Sequence, residues 1–142
     1  VIHMLFFSVC CAGLQILSDH PTLYHRNPDC TQVSTIVPTT CDATKALAAT
    51  AGELAVVAKR KNEAWFIGGI TNGKEKTREV ELNFDFLLKG KIYTMTYFED
   101  GINAGRQAMD YRKKSMQVKA GDTLTINMVR NGGWAAHIEL VR

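Results

Sequence analysis

From residue 54 to residue 141 the chain is a succession of short runs in which apolar and polar residues alternate, each closed by a turn signal. No other feature constrains the fold as much, because a period of two puts successive side chains on opposite faces of a strand. In residues 77–84, Val80, Leu82 and Phe84 share one face, and Glu79, Glu81 and Asn83 share the other. Residues 123–128 repeat the pattern, with Leu124, Ile126 and Met128 opposite Thr123, Thr125 and Asn127. Further runs lie at 54–59, 64–71, 92–99, 115–118 and 134–141. Lys61-Asn62-Glu63, Asn72-Gly73, Lys89-Gly90-Lys91, Asp100-Gly101, Ala120-Gly121-Asp122 and Asn131-Gly132-Gly133 supply turn residues between them. Parallel strands need crossover helices, and no helix pattern separates these runs, so the strands are expected to be antiparallel. About seven such strands in roughly 90 residues predict a two-sheet β-sandwich.

What precedes the strands differs in character. Residues 2–17 are rich in Leu, Phe, Met, Ala and Cys and stop at Ser18-Asp19-His20-Pro21, which predicts a helix ended by proline. A helix apolar nearly all round is normally buried, so this one is read as part of a larger protein. An export signal would carry a positive start, and only His3 stands there. A lipoprotein signal around Ser8-Val9-Cys10 lacks the same charge, and a membrane span is interrupted by Gln15, Ser18 and Asp19. Residues 22–52 read as a connector packed on a neighbour, with Asp42 capping a short alanine-rich helical turn at 43–49.

Charge and cysteine exclude several function classes. The net charge is +3, and its clusters, Lys59-Arg60-Lys61 and Arg112-Lys113-Lys114, are too short for a nucleic-acid groove. Cys10, Cys11, Cys30 and Cys41 contain no C-x-x-C pair, so zinc-knuckle and thioredoxin chemistry lack their spacing. Small buried hydrophobes are the expected role for all four.

Several blocks, in order along nearly the whole chain, resemble the C-terminal end of glycoside hydrolase family 97, the bacterial α-glucosidases and α-galactosidases. They are Leu14-Gln15-Ile16-Leu17-Ser18-Asp19-His20-Pro21-Thr22-Leu23-Tyr24, Val37-Pro38-Thr39-Thr40-Cys41-Asp42-Ala43-Thr44, Val56-Val57-Ala58-Lys59-Arg60-Lys61 and Trp65-Phe66-Ile67-Gly68-Gly69-Ile70-Thr71. The strongest is Phe98-Glu99-Asp100-Gly101-Ile102-Asn103-Ala104 with Asp110-Tyr111 beyond, and the last is Gly132-Gly133-Trp134. Cys41 and Ala43 depart from the tryptophan and glutamate usual in the family.

The resemblance implies a mainly β fold, an antiparallel sandwich of about seven strands preceded by an N-terminal helix left over from a TIM-like barrel. Residues 1–30 would be the barrel's last helix and exit, 31–52 a linker, and 53–142 the C-terminal sandwich. It implies an accessory, oligomerising role in an enzyme acting on α-glucosides or α-galactosides, inactive by itself. Implied partners are the rest of the catalytic barrel, a homo-oligomer, and an α-linked sugar through the parent enzyme, with no nucleic acid and no membrane. A periplasmic or secreted location is expected from the family, as is a calcium ion whose glutamate ligands lie upstream, with no cofactor in this chain.

No catalytic, cofactor-binding or metal-binding residue is assigned here. Glycoside hydrolysis needs two carboxyl groups across the scissile bond. Glu79 and Glu81 sit on a solvent face; Glu75, Asp85, Asp122 and Glu139 lie beside turns or on polar faces; and an Asp-Gly turn accounts for Asp100. The loop from Asp100 to Tyr111 lacks EF-hand spacing, and His3, His20, His25 and His137 form no H-x-x-x-H pattern. Ser8, Ser18, Ser34 and Ser115 lie in no G-x-S-x-G context. Gly68-Gly69 within a strand reads as a bulge or a close backbone approach. Trp65, Trp134, Tyr93 and Tyr97 could stack on a sugar, although large aromatics in a small sandwich belong in its core. They carry the alternative reading: a stand-alone carbohydrate-binding or surface lipoprotein module with residues 1–10 as its export signal.

Overall fold

The structure, a computed structural model, describes residues 21–26, 28–72, 74, 76–101 and 110–141. The helix expected at 2–17 lies outside them. Two short helices open the described part, α1 (Pro21–Arg26) and α2 (Pro28–Ile36). Each begins on a proline, whose fixed φ and missing N–H suit the first helical position. The connector expected from 22 onward is therefore partly helical.

Eight strands follow: β1 (Ala43–Thr50), β2 (Leu54–Lys61), β3 (Ala64–Thr71), β4 (Thr77–Asn83), β5 (Ile92–Asp100), β6 (Tyr111–Lys119), β7 (Thr123–Val129) and β8 (Gly133–Leu140). They form a six-stranded sheet in the order β1-β2-β3-β8-β5-β6 and a two-stranded sheet of β4 and β7. Every pairing is antiparallel. The expected mainly β antiparallel sandwich is what the chain forms, with one strand more than the seven runs foretold.

The extra strand is β1, where a helical turn was expected. Alanine favours helix by only a few tenths of a kcal/mol per residue over most alternatives. Pairing along β2 and the contacts of Leu47 and Ala48 with the core override that preference. Asp42 caps no helix. Its carboxylate accepts the Asn62 N–H at 2.7 Å, which fixes the β2–β3 hairpin, where Asn62 turns with φ 54°.

The small sheet lays Val80, Leu82, Ile126 and Met128 on the inner face of the large one. There they meet Val56, Ile67, Met95, Trp134 and Ile138, all fully buried. Each side chain of this size stabilises the fold by about 1.5–3 kcal/mol on full burial. Phe84 and Leu87, just after β4, belong to the same core. Glu79 and Glu81 face solvent as their alternation requires. No bulge marks Gly68-Gly69, because the register with β2 and β8 runs unbroken through both. A Cβ at Gly69 would lie 3.2 Å from Val56 Cγ2 and 3.4 Å from Met128 Sδ, so close approach is the reason for glycine.

Candidate functional site

Three features of the sandwich could carry function: a polar junction at one end, a cleft on the outer face, and the open edges of the large sheet.

The junction is built around Asp100, the last residue of β5. Its Oδ2 accepts the Val129 N–H at 3.2 Å and the Gly133 N–H at 3.1 Å. One carboxylate thereby ties the end of β5 to the turn between β7 and β8. Asn131 holds that turn with φ 53°, and the Gly132 N–H donates to the Val129 carbonyl at 2.7 Å. A Cβ on Gly132 would overlap the Asp100 carboxylate, and one on Gly101 would overlap that of Asp110. Burial pushes the Asp100 carboxyl above the ordinary carboxylate range, the two amide donors oppose that, and the neighbouring Glu99 charge adds to it. The group that an Asp-Gly turn seemed to explain is thus a brace between two hairpins. Sequence reasoning missed that role, although Gly101 and Gly132-Gly133 were both visible signals of close packing.

The cleft lies between α2 and the outer face of the large sheet and encloses about 490 Å³. Gln32, Ile36 and Pro38 form one side, and Phe66, Thr96, Phe98 and His137 lie on the sheet side. Phe66 and His137 are register partners in β3 and β8, and their rings stack at 4.7 Å and 21°. Burial pushes the His137 imidazole below its ordinary value, against the pull of Glu139, whose Oε1 stands 3.5 Å from Nε2. Lys113 pairs with Asp29 of α2 at 2.6 Å, so the helix is tied to the sheet by charge. Among the cleft's described lining residues Glu139 is the one carboxylate. General acid–base hydrolysis of a glycoside draws on two. Nor do the described residues include any group of three or more His, Cys, Asp or Glu placed to hold a metal ion.

The aromatic residues considered for sugar stacking are placed by the core. Trp65, Tyr93 and Trp134 are buried, and Tyr97 is half-buried with its ring 5.6 Å from that of Trp134. Three of the four rings are therefore core residues. The Trp134 Nε1–H has no hydrogen-bond partner among the described residues.

Among the described residues, the open edges of the large sheet are β1 and β6. They differ in charge: β6 carries Arg112, Lys113, Lys114 and Lys119, whereas β1 carries Lys45 alone. Lys114 is engaged by the half-buried Glu99 at 2.5 Å, a pair that raises the Lys114 amine above its usual value.

Comparison with known proteins sets this geometry in a family. A family model described as glycosyl-hydrolase 97 C-terminal, oligomerisation, matches residues 40–139. A retaining α-galactosidase of Bacteroides thetaiotaomicron is 36% identical over 124 residues, which cover 87% of this chain and 18% of that protein. A probable retaining α-galactosidase of Streptomyces bingchenggensis is 31% identical over 125 residues, covering 88% of this chain and 18% of that protein. A solved glycoside hydrolase family 97 enzyme from Pseudoalteromonas sp. strain K8, in complex with panose, superposes with a TM-score of 0.92 at 26% identity. That match covers 98% of this chain and 22% of that one. The chain therefore spans 18% of the length of the curated relatives it matches.

Proposed function

The chain belongs to the glycosyl-hydrolase 97 C-terminal, oligomerisation family, and on that premise we propose that it is the terminal sandwich of a longer α-glycosidase. In that role it holds copies of the enzyme together and braces the catalytic barrel, and it does not itself cleave the sugar. The supporting observation is one of extent. The family match, residues 40–139, coincides with β1 to β8, so the family's unit and the folded sandwich are the same stretch.

The parent substrate in this reading is an α-galactoside or α-glucoside. The curated relatives are named retaining α-galactosidases, and one structural neighbour holds panose. The acid, the nucleophile or base, and a calcium ion held by glutamates belong to the polypeptide before this chain. Residues 1–30 close the barrel, residues 31–42 lead into the sandwich, which starts at β1 rather than at residue 53, and the enzyme works in the periplasm or outside the cell.

Hydrolysis of p-nitrophenyl α-galactoside and α-glucoside tests the division of labour. The complete polypeptide carrying this chain should release nitrophenol from at least one of them, and residues 1–142 alone should release none. Turnover by the isolated chain that disappears on mutating one of its own carboxylates would refute the reading.

A further inference from the structure

We propose that β1 is the edge through which two copies associate, β1 of one pairing antiparallel with β1 of the other across a two-fold axis and joining two six-stranded sheets into one. This rests on the oligomerising role proposed above and assigns it a surface.

A strand at the edge of a sheet presents N–H and C=O groups that no neighbour satisfies, and a second copy is the simplest chain able to complete them. Among the described residues the large sheet ends at β1 and β6. The two are not equivalent. Two-fold pairing of β6 would gather Arg112, Lys113, Lys114 and Lys119 of each copy along one seam. Like charges set opposite one another in a ladder repel. It would also immobilise long exposed side chains, two of which are already engaged by Asp29 and Glu99 within the chain. Lysine-rich edges are how sheets refuse a partner.

Along β1 Lys45 is the single charge. In an antiparallel pair centred between Ala46 and Leu47, Lys45 of one copy stands opposite Ala48 of the other, so the two lysines do not face each other directly. The register with β2 shifts between Ala46 and Ala48, and the Leu47 side chain packs against the core. Thr44, Ala46, Ala49 and Thr50 remain exposed. Alanine loses no rotamer freedom on burial, and it gains little as an isolated strand former, so this edge is favoured by a partner strand more than by its own side chains.

The test uses the complete polypeptide, with mass followed by sedimentation equilibrium over a range of concentrations. The parent should be an oligomer. Ala46→Lys should raise the dissociation constant by at least about tenfold, because it sets like charges across the seam. Thr50→Lys, exposed on the same edge and diagonal to Lys45 of the other copy in this register, should do the same, and repeats the test should Ala46→Lys disturb the fold. Lys119→Glu, on β6, should leave the mass unchanged. Hydrolysis of an aryl α-glycoside and far-UV circular dichroism check that each variant is folded. An oligomer that both β1 variants leave intact, or that Lys119→Glu disperses, overturns the assignment of the edge while the oligomerising role stands. A parent that is a single copy at every concentration overturns that role, and the inference with it.

Discussion

The carboxylate of Asp100 and the backbone amide of Gly133 stand 33 residues apart in sequence and 3.1 Å apart in space. The same oxygen holds the Val129 amide, so a single side chain fixes where the β7–β8 turn sits against β5. Removing the acceptor strands two part-buried N–H groups, at a cost of about 1–3 kcal/mol for each group left unsatisfied. Asp100→Ala should therefore lower the urea midpoint substantially. Asp100→Asn keeps a carbonyl oxygen in place and should cost much less. Because burial raises the Asp100 carboxyl in the folded state, the native chain binds its proton more tightly than the unfolded one. That contribution is complete below the unfolded pKa and fades as pH rises through the folded one. Asp100→Asn should flatten stability against pH in that acidic window.

Gly132 should tolerate no side chain. A Cβ there would fall 2.7 Å from the Val129 carbonyl and overlap the Asp100 carboxylate. Gly132→Ala is expected to cost about 1–3 kcal/mol, as overpacking does, or to displace the Asp100 brace altogether. Gly69→Ala meets a methyl at 3.2 Å that can give way, and should be the milder of the two. Thermal melts of both variants give the order.

His137 gives the sandwich a separate acid sensitivity. Its folded pKa lies below 6.5 because burial disfavours the imidazolium, with Glu139 opposing. The unfolded chain therefore takes up the proton first as pH falls, so stability is full above about 6.5 and declines below it towards the folded value. Lys61 and Lys113 line the same cleft and add no attraction for a second cation. His137→Gln should remove this slope at some loss of the stacking on Phe66. Denaturation midpoints at pH 7.5 and 5.5 for the parent and the variant measure it.

The Trp134 indole, fully buried and with no partner for its Nε1–H among the described residues, should be replaceable at less than the usual cost. Trp to Ala in a core costs about 3–5 kcal/mol. Trp134→Phe keeps the ring against Tyr97 and removes the unpaired donor, so it should cost well under that range. Chemical denaturation of the two variants side by side checks the difference.

The strands were legible wherever one face is buried and the other wet. Residues 64–71 coincide with β3, and β4 and β7 follow their alternation to within a residue at either end. The start of β6 was not legible: Tyr111 to Lys114 is polar on both faces because the edge is exposed, so no period of two marks it. β1 was misread because local alanine content speaks for helix while its strand form is decided by β2, a partner that single-sequence patterning does not contain. The helices at Pro21 and Pro28 were hidden for the reverse reason, since proline was read as a stop rather than a first residue. At the junction, aspartate and glycine were visible as turn formers, but their union across two hairpins is tertiary. The cleft depends on a helix the pattern did not show, so it was invisible in the sequence.

The most direct test removes the sandwich. Sedimentation equilibrium of the complete polypeptide, set against the same polypeptide ended before residue 40, reads its contribution to assembly. The expected result is an oligomer that falls to the mass of a single copy once the sandwich is gone. An assembly of unchanged stoichiometry after the truncation would contradict the account.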